Sequence, residues 1–389
     1  MRGLVLHANW EPREDYVPSE VEVKTRKVKY GSRVWKDPQL KLEEIPVPEI
    51  RPKDVLIRVK ACGICGSDVH MYQRDKDGYM LYPGLTRFPC IIGHELSGII
   101  ERVGEDVKDF KEGDMVTSEE MMWCGECVPC RNGIPNHCIN LEEIGFTING
   151  GFAEYLIVEA KYCWKIDSLL NVYKSEEKVF EAGSLVEPTS VAYHAIFTRA
   201  EGFKPGAYVV VYGDGPIGLA SVALAKAAGA TKVIVFGHHV ERMKLAEEMG
   251  ADYMFDPREL QKAGVRPYEK VMELTGGMGA DLQVESAGAP AQSLPEMEKS
   301  LAIGGKITWI GRADVEAPIF LERFQVRASQ VYGSQGHSGH GNFMSVIRLM
   351  AAGKIDMTKI ITRRYSLDEA VDAIRQVTRK VDAKITIKP

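Results

Sequence analysis

The sequence predicts an α/β chain of two domains: a β-rich first domain, and a second built on a doubly wound parallel sheet. Three observations predict it. Residues 207–212 (AYVVVY) are a continuous apolar run followed at once by GDGPIG, the pattern of a strand buried on both faces that turns tightly into a helix. From there on, apolar runs alternate with helical stretches, as a parallel sheet requires. Before about residue 188, short Val/Ile runs are instead broken by Gly and Pro turns, which suits a compact β-barrel-like fold.

In chain order, the first section offers strands at 54–59 (DVLIRV) and 113–117 (GDMVT), and a charged, turn-rich excursion at 11–36. In the second section, residues 202–206 (GFKPG) read as a turn before the 207–212 strand. A helix over 219–228 comes next, rich in small residues, with Gly229 as its stop. Then come a strand at 232–236, a helix at 241–249, and strands at 281–284 and 306–310. The tail gives helices at 342–352 and 367–377 and a last strand at 383–388. It is expected to return to the first domain, which makes the domains 1–188 with 333–389, and 189–332.

The 389 residues are enough for two ordinary domains. A hydrophobic content of 45% with 26% charged residues is an ordinary globular mix. The formal charge of −5 gives no electrostatic reason to bind nucleic acid or an anionic membrane. No apolar run approaches the ~18 residues a bilayer span needs. The first residues, MRGLVLHANWEPRED, lack the apolar core of an export signal, so the expected location is cytoplasmic.

Four of the eight cysteines, Cys124, Cys127, Cys130 and Cys138, crowd into CGECVPCRNGIPNHC. Four thiolates so close can fill all four positions around one tetrahedral ion, which is how a structural zinc site looks. Two disulfides or an iron–sulfur cluster are the competing readings. Three further pieces carry ligand-type residues: Cys62–Gly–Ile–Cys65–Gly–Ser67–Asp68–Val–His70, then Gly93–His94–Glu95, then Leu185–Val186–Glu187–Pro188. Each alone has a plain explanation as packing or surface. Gly213–Asp–Gly215–Pro216–Ile217–Gly218, between a strand and a helix, reads as a dinucleotide-binding turn. Its glycines let a pyrophosphate approach the helix N-terminus.

The order CGICGSD, GHE, four-cysteine lobe, LVEPTSVAYHA and GDGPIG resembles the zinc-dependent medium-chain dehydrogenases, which include alcohol, sorbitol and threonine dehydrogenases. The resemblance runs from about residue 40 to 389. It implies a GroES-like catalytic domain followed by a Rossmann domain. It also implies a catalytic zinc on Cys65, His94, Glu95 and Glu187, with Cys62 left as a packing residue. Alcohol dehydrogenases carry Cys where this chain has Glu187.

One thiolate and two carboxylates around Zn2+ sum to −1, which weakens a Lewis acid. The expectation is therefore that Glu95 or Glu187 leaves the metal when water or substrate binds. The resemblance makes Ser67 the group that passes the alcohol proton, with His70 next toward solvent. A surface-loop role is the alternative for His70. Asp68 would orient the His94 ring or cap a helix.

The carboxylate that usually ends the second strand of a dinucleotide fold is missing here. Gly237 stands in its place, followed by His238, His239 and Arg242. NAD and NADP both remain open as cofactor. Residues 72–89 form a long aromatic and charged loop expected to border the substrate. Gln335, His337 and His340 either line the same cleft or belong to a flexible glycine loop. The polar loops suit a small hydroxylated substrate such as a polyol, cyclitol or sugar. The arm and the loop are similar to those of a cyclitol-oxidising branch of the family, the scyllo-inosose 3-dehydrogenase type. A threonine-type amino-alcohol dehydrogenase is the alternative, and would need a carboxylate-binding cation, with Arg87 the candidate. A zinc-braced, non-catalytic sensor is the third reading. The resemblance further implies a homodimer or homotetramer.

Overall fold

The computed structural model describes residues 1–313 and 315–389. They divide into two compact units, Met1–Glu187 with Ile361–Pro389, and Pro188–Ile360.

The first unit is β-rich. Its larger sheet runs Cys163–Lys165, Met115–Ser118, Glu95–Val103, Asp54–Gly63, Lys384–Lys388, Ile361–Ser366, with Tyr155–Glu159 also paired to Asp54–Gly63. A smaller sheet joins Trp35–Glu44, Arg2–Trp10 and Cys90–Ile91. The strand expected at 54–59 extends to Gly63, because its alternating residues Val55, Ile57, Val59 and Ala61 all pack inward. Two registers place the ligand-type residues. Gly63 lies opposite Glu95, and Thr386 of the Lys384–Lys388 strand also lies opposite Gly63. The last strand therefore borders the strand that leads into CGICGSD.

The excursion at 11–36 is more ordered than its composition suggests. It contains a helix, Glu20–Thr25, whose first turn is closed by a reciprocal cap between Ser19 and Glu22. The buried Glu22 carboxylate accepts from Tyr16 Oη at 2.8 Å, Ser19 N at 2.8 Å and Lys29 N at 3.0 Å.

The second unit is a six-stranded parallel sheet in the order Tyr253–Phe255, Lys232–Phe236, Tyr208–Tyr212, Ala280–Glu285, Leu301–Trp309, Gln330–Gly333. This is a Rossmann-like order, with a ligand crevice where it reverses beside Tyr208–Tyr212. The expected helix over 219–228 begins earlier, at Pro216, since proline is well suited to the first helical turn. The chain rejoins the first unit at Ile361, where the sequence suggested 333. Residues 333–360 stay with the second unit because the Asn342–Ala351 helix buries Phe343, Val346, Ile347 and Met350 there, and Asn342 bonds Thr198 and His194.

The Glu22 anchor gives a pH expectation. Burial raises its carboxyl pKa, but the Lys29 and Ser19 amides and Tyr16 outweigh that and hold it below the ordinary 4.5. A depressed carboxyl stabilises the fold above its unfolded pKa and loses that contribution as pH falls through the folded value. Limited proteolysis within 11–36 should therefore accelerate as pH drops below about 4.5. Glu22→Gln should show the same loosening at neutral pH.

Candidate metal centres and dinucleotide site

The chain turns out of the Asp54–Gly63 strand through Ile64 and Cys65 into a helix, Gly66–Tyr72. Asp68, fully buried, fixes this turn. Its carboxylate accepts from Cys65 N at 2.8 Å and from Gly93 N at 3.1 Å. One side chain thereby ties CGICGSD to GHE. The His94 ring nitrogen Nδ1 lies 3.7 Å from Asp68, too long for a hydrogen bond. Asp68 thus acts first on the backbone and only through charge on the ring.

Cys65, His94 and Glu95 bring a sulfur, a ring nitrogen and a carboxylate oxygen within 4.8 Å of one another. His94 Nδ1 and Ser67 Oγ are buried with no hydrogen-bond partner. A buried polar atom without a partner is costly, and here two sit in one small region. A soft thiolate, an imidazole and a carboxylate are also zinc's donor types. The residues fit a catalytic zinc ion. Glu187, also buried, acts through charge on His94 and Glu95, and its carboxylate lies within 4.8 Å of that of Glu120. Cys62 is fully buried, and burial pushes its thiol well above the usual range, as befits a packing residue. His70 is exposed on the helix.

Sequence reasoning missed Lys384. Its ammonium is buried, 2.6 Å from each Glu95 carboxylate oxygen and 3.0 Å from Ile64 O. Burial alone would lower its pKa, but Glu95 and Cys65 hold it above the ordinary lysine value. The pairing is possible because Gly63 has no side chain. A Cβ there would meet Glu95 Oε2 at 2.1 Å. The one available signal was a charged residue at the head of the apolar run ITI, since a lysine buried in a sheet needs an acid beside it.

In the four-cysteine lobe the sulfurs of Cys127 and Cys130 lie 3.4 Å apart, those of Cys124 and Cys138 3.5 Å, and those of Cys127 and Cys138 3.8 Å. All four are free thiols. A disulfide would bring a pair to about 2.05 Å, whereas Zn–S bonds of ~2.3 Å place sulfurs ~3.8 Å apart. Amides of Glu126 and Cys127 point at Cys124 Sγ and draw its pKa down to about 6. At Cys124 the lobe therefore favours the thiolate a metal needs, while burial pushes the Cys130 and Cys138 thiols up. Trp123, Leu141, Met121 and Leu85 pack around it.

In the second unit, Gly213–Gly218 joins the Tyr208–Tyr212 strand to the Pro216–Ala227 helix. A Cβ on Gly218 would meet Gly213 O at 2.0 Å. The glycine is what lets this turn close onto the helix start, leaving the first amides for a pyrophosphate. Beyond the Lys232–Phe236 strand, an open cavity of about 300 Å³ is lined by Gly237, His238, Val240, Met243, Lys244, Glu247, Met254 and Asp256. These features fit a dinucleotide. Gln335 and His340 are exposed in this unit, and His337 is buried against the Phe343 ring at 5.0 Å.

Comparison with known proteins agrees with this geometry. Residues 51–168 match the model of the alcohol dehydrogenase GroES-like domain, and residues 216–352 that of the zinc-binding dehydrogenase. The chain is 46% identical over 399 aligned positions to scyllo-inosose 3-dehydrogenase of Thermotoga maritima, covering 100% of this chain and 99% of that one. It is 35% identical to L-threonine 3-dehydrogenase of Bacillus subtilis, covering 84% of this chain and 89% of that one. A solved Thermotoga maritima structure of the alcohol dehydrogenase type superposes with a TM-score of 0.95 at 46% identity over 100% of both chains.

Two outcomes are expected. Cys127→Ser should halve the zinc content measured by elemental analysis and lower the melting temperature, because the lobe loses its ion. Lys384→Met should destabilise the chelator-treated protein by about 3–5 kcal/mol, the scale for stranding one partner of a buried pair. Adding Glu95→Gln should recover part of that loss in denaturant unfolding.

Proposed function

The chain belongs to the zinc-dependent medium-chain dehydrogenase family and is an NAD(P)-linked oxidoreductase, and we propose that it oxidises a secondary hydroxyl of a cyclitol, polyol or sugar. The observation that carries the reading is the buried Cys65–His94–Glu95 trio with Ser67 Oγ, buried and unbonded, two residues from Cys65. When bound, zinc supplies Lewis acidity to an alcohol oxygen and the nicotinamide accepts hydride.

The chain's own residues do the rest. Cys65, His94 and Glu95 hold the ion, and Ser67 Oγ, able both to donate and to accept, takes the hydroxyl proton. His70 passes it toward solvent. Lys384 cancels the Glu95 charge. With Glu187 as the other carboxylate, the shell is then close to neutral around a dication, the condition that keeps it a good Lewis acid. Of the two carboxylates, Glu95 would accordingly be the weaker ligand, since it shares its charge with Lys384.

The substrate class rests on Arg87 and on the relatives. An amino-alcohol substrate needs a cation for its carboxylate. The Arg87 guanidinium is already bound to Thr147 O at 2.8 Å and lies 3.5 Å from the Glu142 carboxylate. Arg74, in the same loop, pairs with Asp37 at 3.2 Å. The relative similar over its whole length is named scyllo-inosose 3-dehydrogenase. A polyhydroxylated ligand offers the donors and acceptors that polar loops can read.

The test is a cofactor-reduction screen of the zinc-loaded enzyme with cyclitols, linear polyols, threonine and simple alcohols. Cyclitols or polyols should give the highest kcat/KM, and threonine as best substrate would overturn the reading. No turnover with any of them would favour a non-catalytic role. Cys65→Ser and His94→Ala should abolish activity with circular dichroism unchanged. Ser67→Ala should lower kcat by about 10²-fold, the scale of one general acid–base group.

A further inference from the structure

The excursion at 11–36 and the loop at 72–89 have no part in the chemistry above. The structure nevertheless ties them to each other, and ties the loop to the metal pocket.

Arg13 is the outermost tie. Its guanidinium lies over the Tyr79 ring, 3.9 Å from the centroid, and donates to the Asp75 carboxylate. Its Nη1 lies 3.7 Å from Asp77, and its Nε donates to Ser32 O at 3.1 Å within the excursion. Asp75 also accepts from Asp77 N and Tyr79 N, both at 2.9 Å. The carboxylate that holds Arg13 therefore also closes the turn of the loop. Further along, Val28 and Thr86 exchange backbone hydrogen bonds at 2.9 and 3.0 Å, and Gly31 N donates to Gly84 O at 2.9 Å. Gly31 is pressed against the loop. A Cβ there would meet Thr86 Oγ1 at 2.6 Å, Met80 Sδ at 2.9 Å and Tyr82 O at 3.0 Å.

The inner side of the loop is fastened to the metal pocket. Leu81 N and Tyr82 N both donate to His70 O, at 3.0 and 3.1 Å, in the last turn of the helix that carries Ser67. The Tyr82 ring packs on Phe146 with 5.2 Å between centroids, and Phe146 packs on the His94 ring at 4.8 Å. All three rings are buried. The excursion thus holds one side of the loop. The other side holds the Ser67 helix and backs the ring of a metal-type ligand.

We propose that residues 11–36 are a clamp that sets substrate specificity without touching the substrate. Arg13 and Gly31 hold the loop over the metal pocket in the shape that accepts a ring-sized, polyhydroxylated substrate, and Arg13 is a positioning residue. The proposal rests on the dehydrogenase reading of that pocket and deepens it. The reason is geometric. A ligand with several hydroxyls is bound by several hydrogen bonds that must be met together, whereas a short alcohol is held by one oxygen. Contacts on a loop are only as precise as the residues that support the loop, and a misplacement of about 1 Å can cost ~10²-fold.

The experiment compares the zinc-loaded wild-type enzyme with Arg13→Ala, Arg13→Lys and Arg33→Ala. Steady-state kinetics use the best polyhydroxylated substrate and the simplest secondary alcohol turned over, and hydrogen–deuterium exchange follows the loop itself. Arg13→Ala should raise KM for the polyhydroxylated substrate about tenfold and KM for the simple alcohol less than about twofold. KM, unlike kcat, does not depend on the fraction of enzyme that is folded, so a general loss of stability does not mimic this split. Arg13→Lys keeps a charge over Tyr79 but not the fork, and should recover part of the loss. Arg33→Ala removes an exposed pair with Asp15 inside the excursion and should leave both KM values at wild type. In Arg13→Ala the amides of Leu81 and Tyr82 should lose protection, while those of the Val128–Arg131 helix in the cysteine lobe do not change. Unchanged KM values with turnover intact would overturn the clamp and leave the dehydrogenase reading standing. So would equal exchange at Leu81 and Tyr82, or KM values that rise equally for both substrates. Absence of turnover with any polyhydroxylated compound would overturn both.

Discussion

The ion pair between Glu95 and Lys384 is the constraint on which the metal pocket depends. Both side chains are buried, and a buried charge is tolerable only with a partner in good geometry. Each therefore dictates where the other's strand must lie. Glu95 opens its strand opposite Gly63, and Lys384 begins the strand whose Thr386 also faces Gly63. Cys65 comes immediately after, held by Asp68, which also holds Gly93 beside His94. Three distant stretches of chain are thus locked by one salt bridge and one buried carboxylate.

The two sets of metal-type residues solve the same electrostatic problem in opposite ways. In the cysteine lobe, backbone amides point at the Cys124 and Cys138 sulfurs and favour negative charge there. In the buried trio an ammonium takes the place of such amides at Glu95. The first arrangement suits a closed structural shell. The second keeps one carboxylate occupied, which suits a shell that must admit a substrate oxygen.

Most of this was legible where chemistry and local spacing coincide. The cysteine lobe, CGICGSD, GHE and the glycine turn are short motifs whose residues act on one another locally, and the structure brings Cys65, His94 and Glu95 together. The apolar runs at 207–212 and 232–236 become central strands because they are buried on both faces. What was not legible depends on long-range packing. The Tyr253–Phe255 and Gln330–Gly333 strands are short, lie at the sheet edges and are partly exposed, so they carry no clear hydrophobic pattern. Helices such as Pro257–Lys262 lack an apolar stripe. The return to the first unit came later than expected, because an amphipathic helix does not announce which sheet it covers. Glu187, expected in the ligand set, acts through charge on His94 and Glu95, a nearness the spacing of the motifs does not disclose, and Lys384 had no partner within reach along the sequence.

The separation of 289 residues between Glu95 and Lys384 also orders events during biosynthesis. At translation rates of roughly 5–20 residues per second, the acid precedes its counter-ion by about fifteen seconds to a minute. In that interval the whole of Pro188–Ile360 is made. Glu95 therefore stays without its counter-ion, and has to remain hydrated, until the last strand of the first unit has been made.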